Sequence, residues 1–260
     1  MKHWLLIVVR WAVLASALFA TIACHQAAQS DEGSTPVDVT LMAFLSRARA
    51  AHHQADLLEG DDPKAATQAL TKLVSGPLPP AGTALPEVRE VLADTRARLA
   101  ELLSREGKVD AAAAQIEAGL ALAPEASYFR GHLLEVRGVV EQRRAKALEE
   151  QAQDLLDAVD ARLNPATHQQ LAALLEQRRQ AESELETSAL PPEQSDTLLR
   201  VDRQLRELRL SNLASGDHRR YDGLLSQSRQ AQQRAIAAFE QAMTIQDEVI
   251  RTQLATPNAQ

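Results

Sequence analysis

Residues Arg96 to Pro124 read RARLAELLSREGKVDAAAAQIEAGLALAP, two helix-forming runs separated by one glycine and closed by one proline. Gly107 ends the first run, because glycine adopts φ > 0 without steric cost. Ala112 is small, so a second helix can approach the first closely. Ile116 and Leu120 follow at steps of four and line one face. Pro124 stops the second helix, since it lacks an N–H and clashes with the preceding turn. The stretch predicts a helical hairpin.

An upstream segment carries the same pattern at an offset of 47: Gly60, Ala65, Ala69, Leu73 and Pro77 match Gly107, Ala112, Ile116, Leu120 and Pro124. With Arg96–Leu103 leading into Gly107, and Gly119–Pro124 closing the motif, residues 40 to 140 resemble tetratricopeptide repeats. A helical hairpin unrelated to that family is the competing reading. The family's usual period is 34, and Leu78-Pro79-Pro80-Ala81-Gly82-Thr83-Ala84-Leu85-Pro86 supplies the insertion. His52 and His53 stand where the family places Leu and a small residue. Ser127 to Glu141 matches the first helix of a third repeat, but Glu141 replaces the turn glycine, so this helix is expected to run on as a cap.

The resemblance implies a groove lined by the first helix of each repeat. In the branch that clamps a terminal carboxylate, Lys, Arg and Asn fill that groove. The matching positions here hold Arg47, Ala50 and Gln54 in one repeat and Asp94, Ala97 and Glu101 in the next. That mixed set argues against the basic clamp and against an acidic-tail ligand.

Beyond Pro124 the chain continues as four helical pieces of about 38, 23, 22 and 37 residues, broken at Asn164-Pro165, Pro191-Pro192 and Ser215-Gly216-Asp217. Short turns predict neighbours folded back antiparallel. In the last piece Tyr221, Leu224, Ser228, Ala231, Ala235, Ala238, Ala242, Ile245, Val249 and Thr252 recur at steps of three and four, without a charge. Leu198, Val201, Leu205, Leu208 and Asn212 do the same in the piece before. Such a seam packs left-handed against a partner helix, and alanine brings the axes close. Leu225, Phe239, Met243 and Ile250 flank it and are expected to reach a third helix. The seam suits an internal core or an interface with a second chain. The expected fold is all-α: hairpin repeats over 37–125, then an antiparallel, coiled-coil-like long-helix bundle over 126–256.

At the front, Lys2 and Arg10 precede an uncharged run, Trp11 to Ala23, which ends at Cys24, the one cysteine. A basic start, an apolar middle and a small-residue exit make a secretory signal over 1–23. Thr21-Ile22-Ala23-Cys24 resembles the bacterial lipoprotein box, with Thr in place of the usual Leu. The resemblance implies acylation of Cys24 by palmitate-type chains, and His25, in place of Asp, implies sorting to the outer membrane. Residues 24–36 are polar and aperiodic, a tether in which residues 25 to 36 span at most about 40 Å. Two other readings remain: cleavage after Ala23 to a soluble form, and an uncleaved Trp4–Ala23 anchor, against which Arg10 argues.

Removal of residues 1–23 takes the formal charge from −7 to −9, which suits neither nucleic acid nor an anionic surface. One cysteine allows no internal disulfide, so apolar burial must hold the fold. Arg143-Arg144, Arg178-Arg179 and Arg219-Arg220 each have acidic residues within about a turn, the pattern of solvated helix faces. His52-His53 with Asp56 makes a poor metal face, and Asp154, Asp157 and Asp160 lack a calcium loop. No nucleophile elbow, phosphate loop, zinc-protease helix or dinucleotide fingerprint is present, so neither enzyme activity nor a cofactor is expected. The expected role is a lipid-anchored envelope scaffold facing the periplasm, binding other envelope proteins. The alternative is a self-associating spacer that dimerises through its C-terminal helices.

Overall fold

The computed structural model describes residues 38–188 and 196–255. The expected signal over 1–23, Cys24, the expected 24–36 tether and the expected break at Pro191-Pro192 lie outside the described residues. Those described are all-α, with no strand: α1 Val39–Leu58, α2 Pro63–Val74, α3 Pro86–Arg105, α4 Val109–Leu122, α5 Tyr128–Asp160, α6 Pro165–Ser188, α7 Asp196–Ser211 and α8 Ser215–Ala255. Contacts divide the chain into a unit ending at Met42 and another beginning at Ala43. In the first, the Asp38 carboxylate caps α1 by accepting from the Thr40 and Leu41 N–H groups at 2.9 and 3.2 Å. Everything below concerns the second.

The 47-residue offset of the sequence holds for the bounds of α1 and α3 but not for those of α2 and α4. Helices α1 and α3 begin and end 47 residues apart, whereas the first residues of α2 and α4, Pro63 and Val109, are 46 apart. The turn is the cause. Gly107 has φ 77°, Lys108 N–H bonds to the Leu103 carbonyl at 2.9 Å and Gly107 N–H to Ser104 at 3.2 Å, a glycine-terminated Schellman turn. Gly60 has no positive φ; Asp62 takes over, accepting from Ala65 N–H at 3.1 Å ahead of Pro63. The one-residue difference rotates α2, so Ala66, Leu70 and Leu73 are its buried counterparts of Ala112, Ile116 and Gly119. Ala65 is therefore only half-buried, and correcting the pattern moves the close-approach position to Ala66. Pro77 lies exposed three residues past α2, which has already stopped at the Ser75 cap; Pro124 follows α4 by two.

One core joins α1 to α5: Leu70, Leu99, Leu102, Ile116, Leu133, Val136 and Val140 fill it between Ala66, Ala93, Ala97, Ala100 and Ala112. Each large aliphatic side chain taken fully from water contributes about 1.5–3 kcal/mol. Gly119 lets α4 meet α5, since a Cβ there would stand 2.5 Å from Leu133 Cδ2.

Helix α5 begins at Ser127, whose hydroxyl accepts from Arg130 N–H at 3.2 Å, and runs through Glu141 for 33 residues, about 50 Å. Its main partner is α8, not the adjacent α6. The pairing is antiparallel. Glu149 accepts from Ser228 and Gln232, Glu141 pairs with Arg234, and Phe239 lies on Gly138. The seam is buried from Tyr221 to Ala242 against α5 of the same chain, whereas Ile245 and Val249 are half-buried and Thr252 is exposed. On α5, Gly131, Gly138, Ala145 and Ala152 recur at steps of seven, all buried; Gly131 meets Ala242 and Ile245, and Gly138 meets the Phe239 ring. Small residues in the contact permit a close approach of the two axes.

Contrary to expectation, the short turn after α5 does not return the chain along it: α6 pairs with α7, through Leu171, Val201 and Leu205. The α5–α6 and α7–α8 turns carry Ala161–Asn164 and Asn212–Ala214. Arg209 holds the junction, donating Nε and Nη2 to Asp160 at 2.6–3.1 Å and reaching Asp157 at 3.5 Å. Two carboxylates of the acidic ladder are thus engaged rather than merely solvated. Among the described residues Met243 and Ile250 stay largely exposed, at 65% and 52%, rather than packing on a third helix.

Candidate interaction surface

The residues expected to line one groove fall on two surfaces. Arg47, Ala50 and Gln54 of α1 do converge, but with α2: they form a cleft of about 340 Å³ with Gln68, Ala69 and Lys72. Ala51, Ala65 and Leu73 complete its floor, and Gly76 and Pro77 close one end. There Arg47 Nη2 donates to the Pro77 carbonyl at 2.8 Å, which fixes the guanidinium at the cleft end. Arg47, Gln54, Gln68 and Lys72 are exposed along the rim.

The second half of the expected set lies elsewhere. Ala97 is fully buried in the core and is no groove residue. Glu101 binds Arg98 at 2.8 Å, and Asp94 is half-buried, near enough to Tyr128 to help raise its pKa, after burial. Between α1 and α3, Arg98 also takes Asp56 at 3.1 Å and Glu59 at 2.5 Å, and Glu59 pairs with Arg105. Burial opposes the Arg98 charge, yet the carboxylates of Glu101 and Asp56 outweigh it and hold its pKa above the ordinary value. His52 Nε2 meets Thr95 Oγ1 at 2.9 Å across the same contact. The facing sides of α1 and α3 are thus occupied by their own polar partners.

Arg143 departs from the solvated-face pattern. It is half-buried on α5 and donates Nη1 to Ser104 Oγ at 2.5 Å and to the Glu101 carbonyl at 3.3 Å. Burial, then the Arg105 charge, lowers its pKa. Arg178 and Arg179 keep the expected surface pairs with Glu182 and Glu176.

Gln68 and Lys72 escaped the sequence reading. Their signal was present: they are four apart on α2, on the side away from Leu70, and belong to the open side of the first hairpin. Among the described residues no group of three or more His, Cys, Asp or Glu side chains is placed to hold a metal, and no helix is long and apolar enough to cross a membrane.

No protein-family model, no curated protein and no solved structure matches this chain. Its functional reading therefore rests on its own residues and geometry.

Proposed function

We propose that this protein is a lipid-anchored scaffold of a bacterial envelope, with tetratricopeptide-like hairpins over 37–125 that bind another envelope protein and a long-helix region over 126–256 that sets spacing. The observation that carries it is the open cleft between α1 and α2, with a small-residue floor and a polar rim. Such a surface suits an extended segment of a partner. The signal and Cys24 support export and acylation, and His25 supports the outer membrane as its destination. More than one acyl chain, at about 0.8 kcal/mol per buried methylene, would hold the protein stably on the bilayer.

Co-purification tests this reading. Tagged full-length protein with Cys24 intact should bring down one stoichiometric partner from solubilised envelope. Cys24→Ser should release the protein from the membrane fraction. A bait that repeatedly comes down alone contradicts the scaffold, and a serine variant that still pellets with membranes contradicts the acyl anchor.

A second reading, a self-associating spacer, draws on Ile236, Met243 and Ile250, exposed at steps of seven along α8. Light scattering on the full chain decides it: a monomer removes this reading.

A further inference from the structure

We infer that the α1–α2 cleft recognises an acidic extended peptide segment of a protein partner, a claim that rests on the scaffold reading and narrows it. The charge balance of the cleft carries the inference. The whole chain has a formal charge of −7, yet the charged residues lining this cleft are Arg47 and Lys72, with no carboxylate among them. Lys72 meets no carboxylate among the described residues, unlike Arg98, Arg105, Arg144 and Arg209, whose charges are spent on neighbours.

The sequence-based objection to an acidic ligand came from placing Asp94 and Glu101 beside Arg47. The fold separates them, and with them the objection. Gln54 and Gln68 add amide groups able to donate to and accept from an extended backbone. Ala50, Ala65 and Ala69 keep the floor low enough for that backbone to lie between the two helices. Arg47, already held by the Pro77 carbonyl, loses little side-chain freedom when it meets a carboxylate. Aromatic anchors are absent from the lining, so charge and backbone contacts must supply specificity, and binding must weaken with salt.

Fluorescence anisotropy of the full chain in detergent tests the assignment, with a short labelled peptide of alternating Ala and Glu as probe and its Ala/Gln counterpart as control. The Glu peptide should bind at least about tenfold more tightly than the Gln peptide, and the margin should shrink as salt rises. Lys72→Gln and Arg47→Gln together should remove that margin, while Glu101→Gln leaves it intact; circular dichroism verifies that the variants fold, and Lys72→Gln alone serves if Arg47 proves structural. Equal binding of both peptides, or retention of the margin in the double variant, overturns the assignment. So does complete competition by equimolar inorganic phosphate, which would mean a simple anion site. A partner that still co-purifies with the folded double variant leaves the scaffold standing and removes only the cleft; the absence of any partner with wild-type bait removes the scaffold itself.

Discussion

Gly138 shows how a single missing methyl sets the spacing of two helices. A Cβ there would stand 2.5 Å from the Phe239 ring, so Gly138→Ala must displace that ring or separate α5 from α8, at about 1–3 kcal/mol. Gly223, inside α8 with open space around its Cα, is the counterpart: Gly223→Ala should stabilise by about 0.5–1 kcal/mol through helix propensity. Urea denaturation of the two variants should give shifts of opposite sign. Glu106 makes a pH-dependent contribution. Hydrogen bonds from Lys108 at 2.7 Å and Thr67 at 2.5 Å, in that order, lower its pKa below 4.5, against a small burial effect. A lowered carboxyl pKa stabilises above the unfolded value and loses that contribution as pH falls through the folded value. The difference in Tm between wild type and Glu106→Gln should therefore be full at pH 7 and close as acid is added below about pH 4.5.

Helix pairing is where sequence and structure diverge most instructively. The seam of α8 was legible because its three-and-four spacing is a local property, and Tyr221 to Ala242 are buried as that spacing demands. Its partner was not legible: the proline break at Asn164-Pro165 ends a helix without stating which way the chain turns. The direction follows from long-range fit, with Gly131 and Gly138 of α5 meeting Ala242 and Phe239 of α8. The candidate site shows the same division. Arg47, Ala50 and Gln54 were found by motif position, but the one-residue turn difference that rotates α2, and so sets Gln68 and Lys72 beside them, depends on Asp62 capping where glycine was expected. The contrast between core and outer face is measurable. Ala238→Leu should overpack the α5–α8 seam and cost about 1–3 kcal/mol. Met243→Ser, on the exposed side of the same helix, should change stability by no more than about 0.5 kcal/mol, as read by thermal denaturation of the full chain.

Taken whole, the protein joins hairpins with one shared core to a pair of long helices whose contact rests on small residues. Helix α5 belongs to both, since Leu133, Val136 and Val140 enter the hairpin core while Ala152, Leu156 and Val159 pack with Leu213, Tyr221 and Leu224. Helix α2 of the cleft packs on α3 and α3 packs on α5, so a partner seated between α1 and α2 would meet α5 only through α3. The most direct test of the proposed interaction scaffold is site-specific photo-crosslinking of the protein in its native cells, with the probe at Gln54 and, separately, at Met243. The account predicts one discrete adduct of constant mass from Gln54 and none from Met243. No adduct from Gln54, or an adduct from Met243 alone with a second copy of this chain, would contradict it.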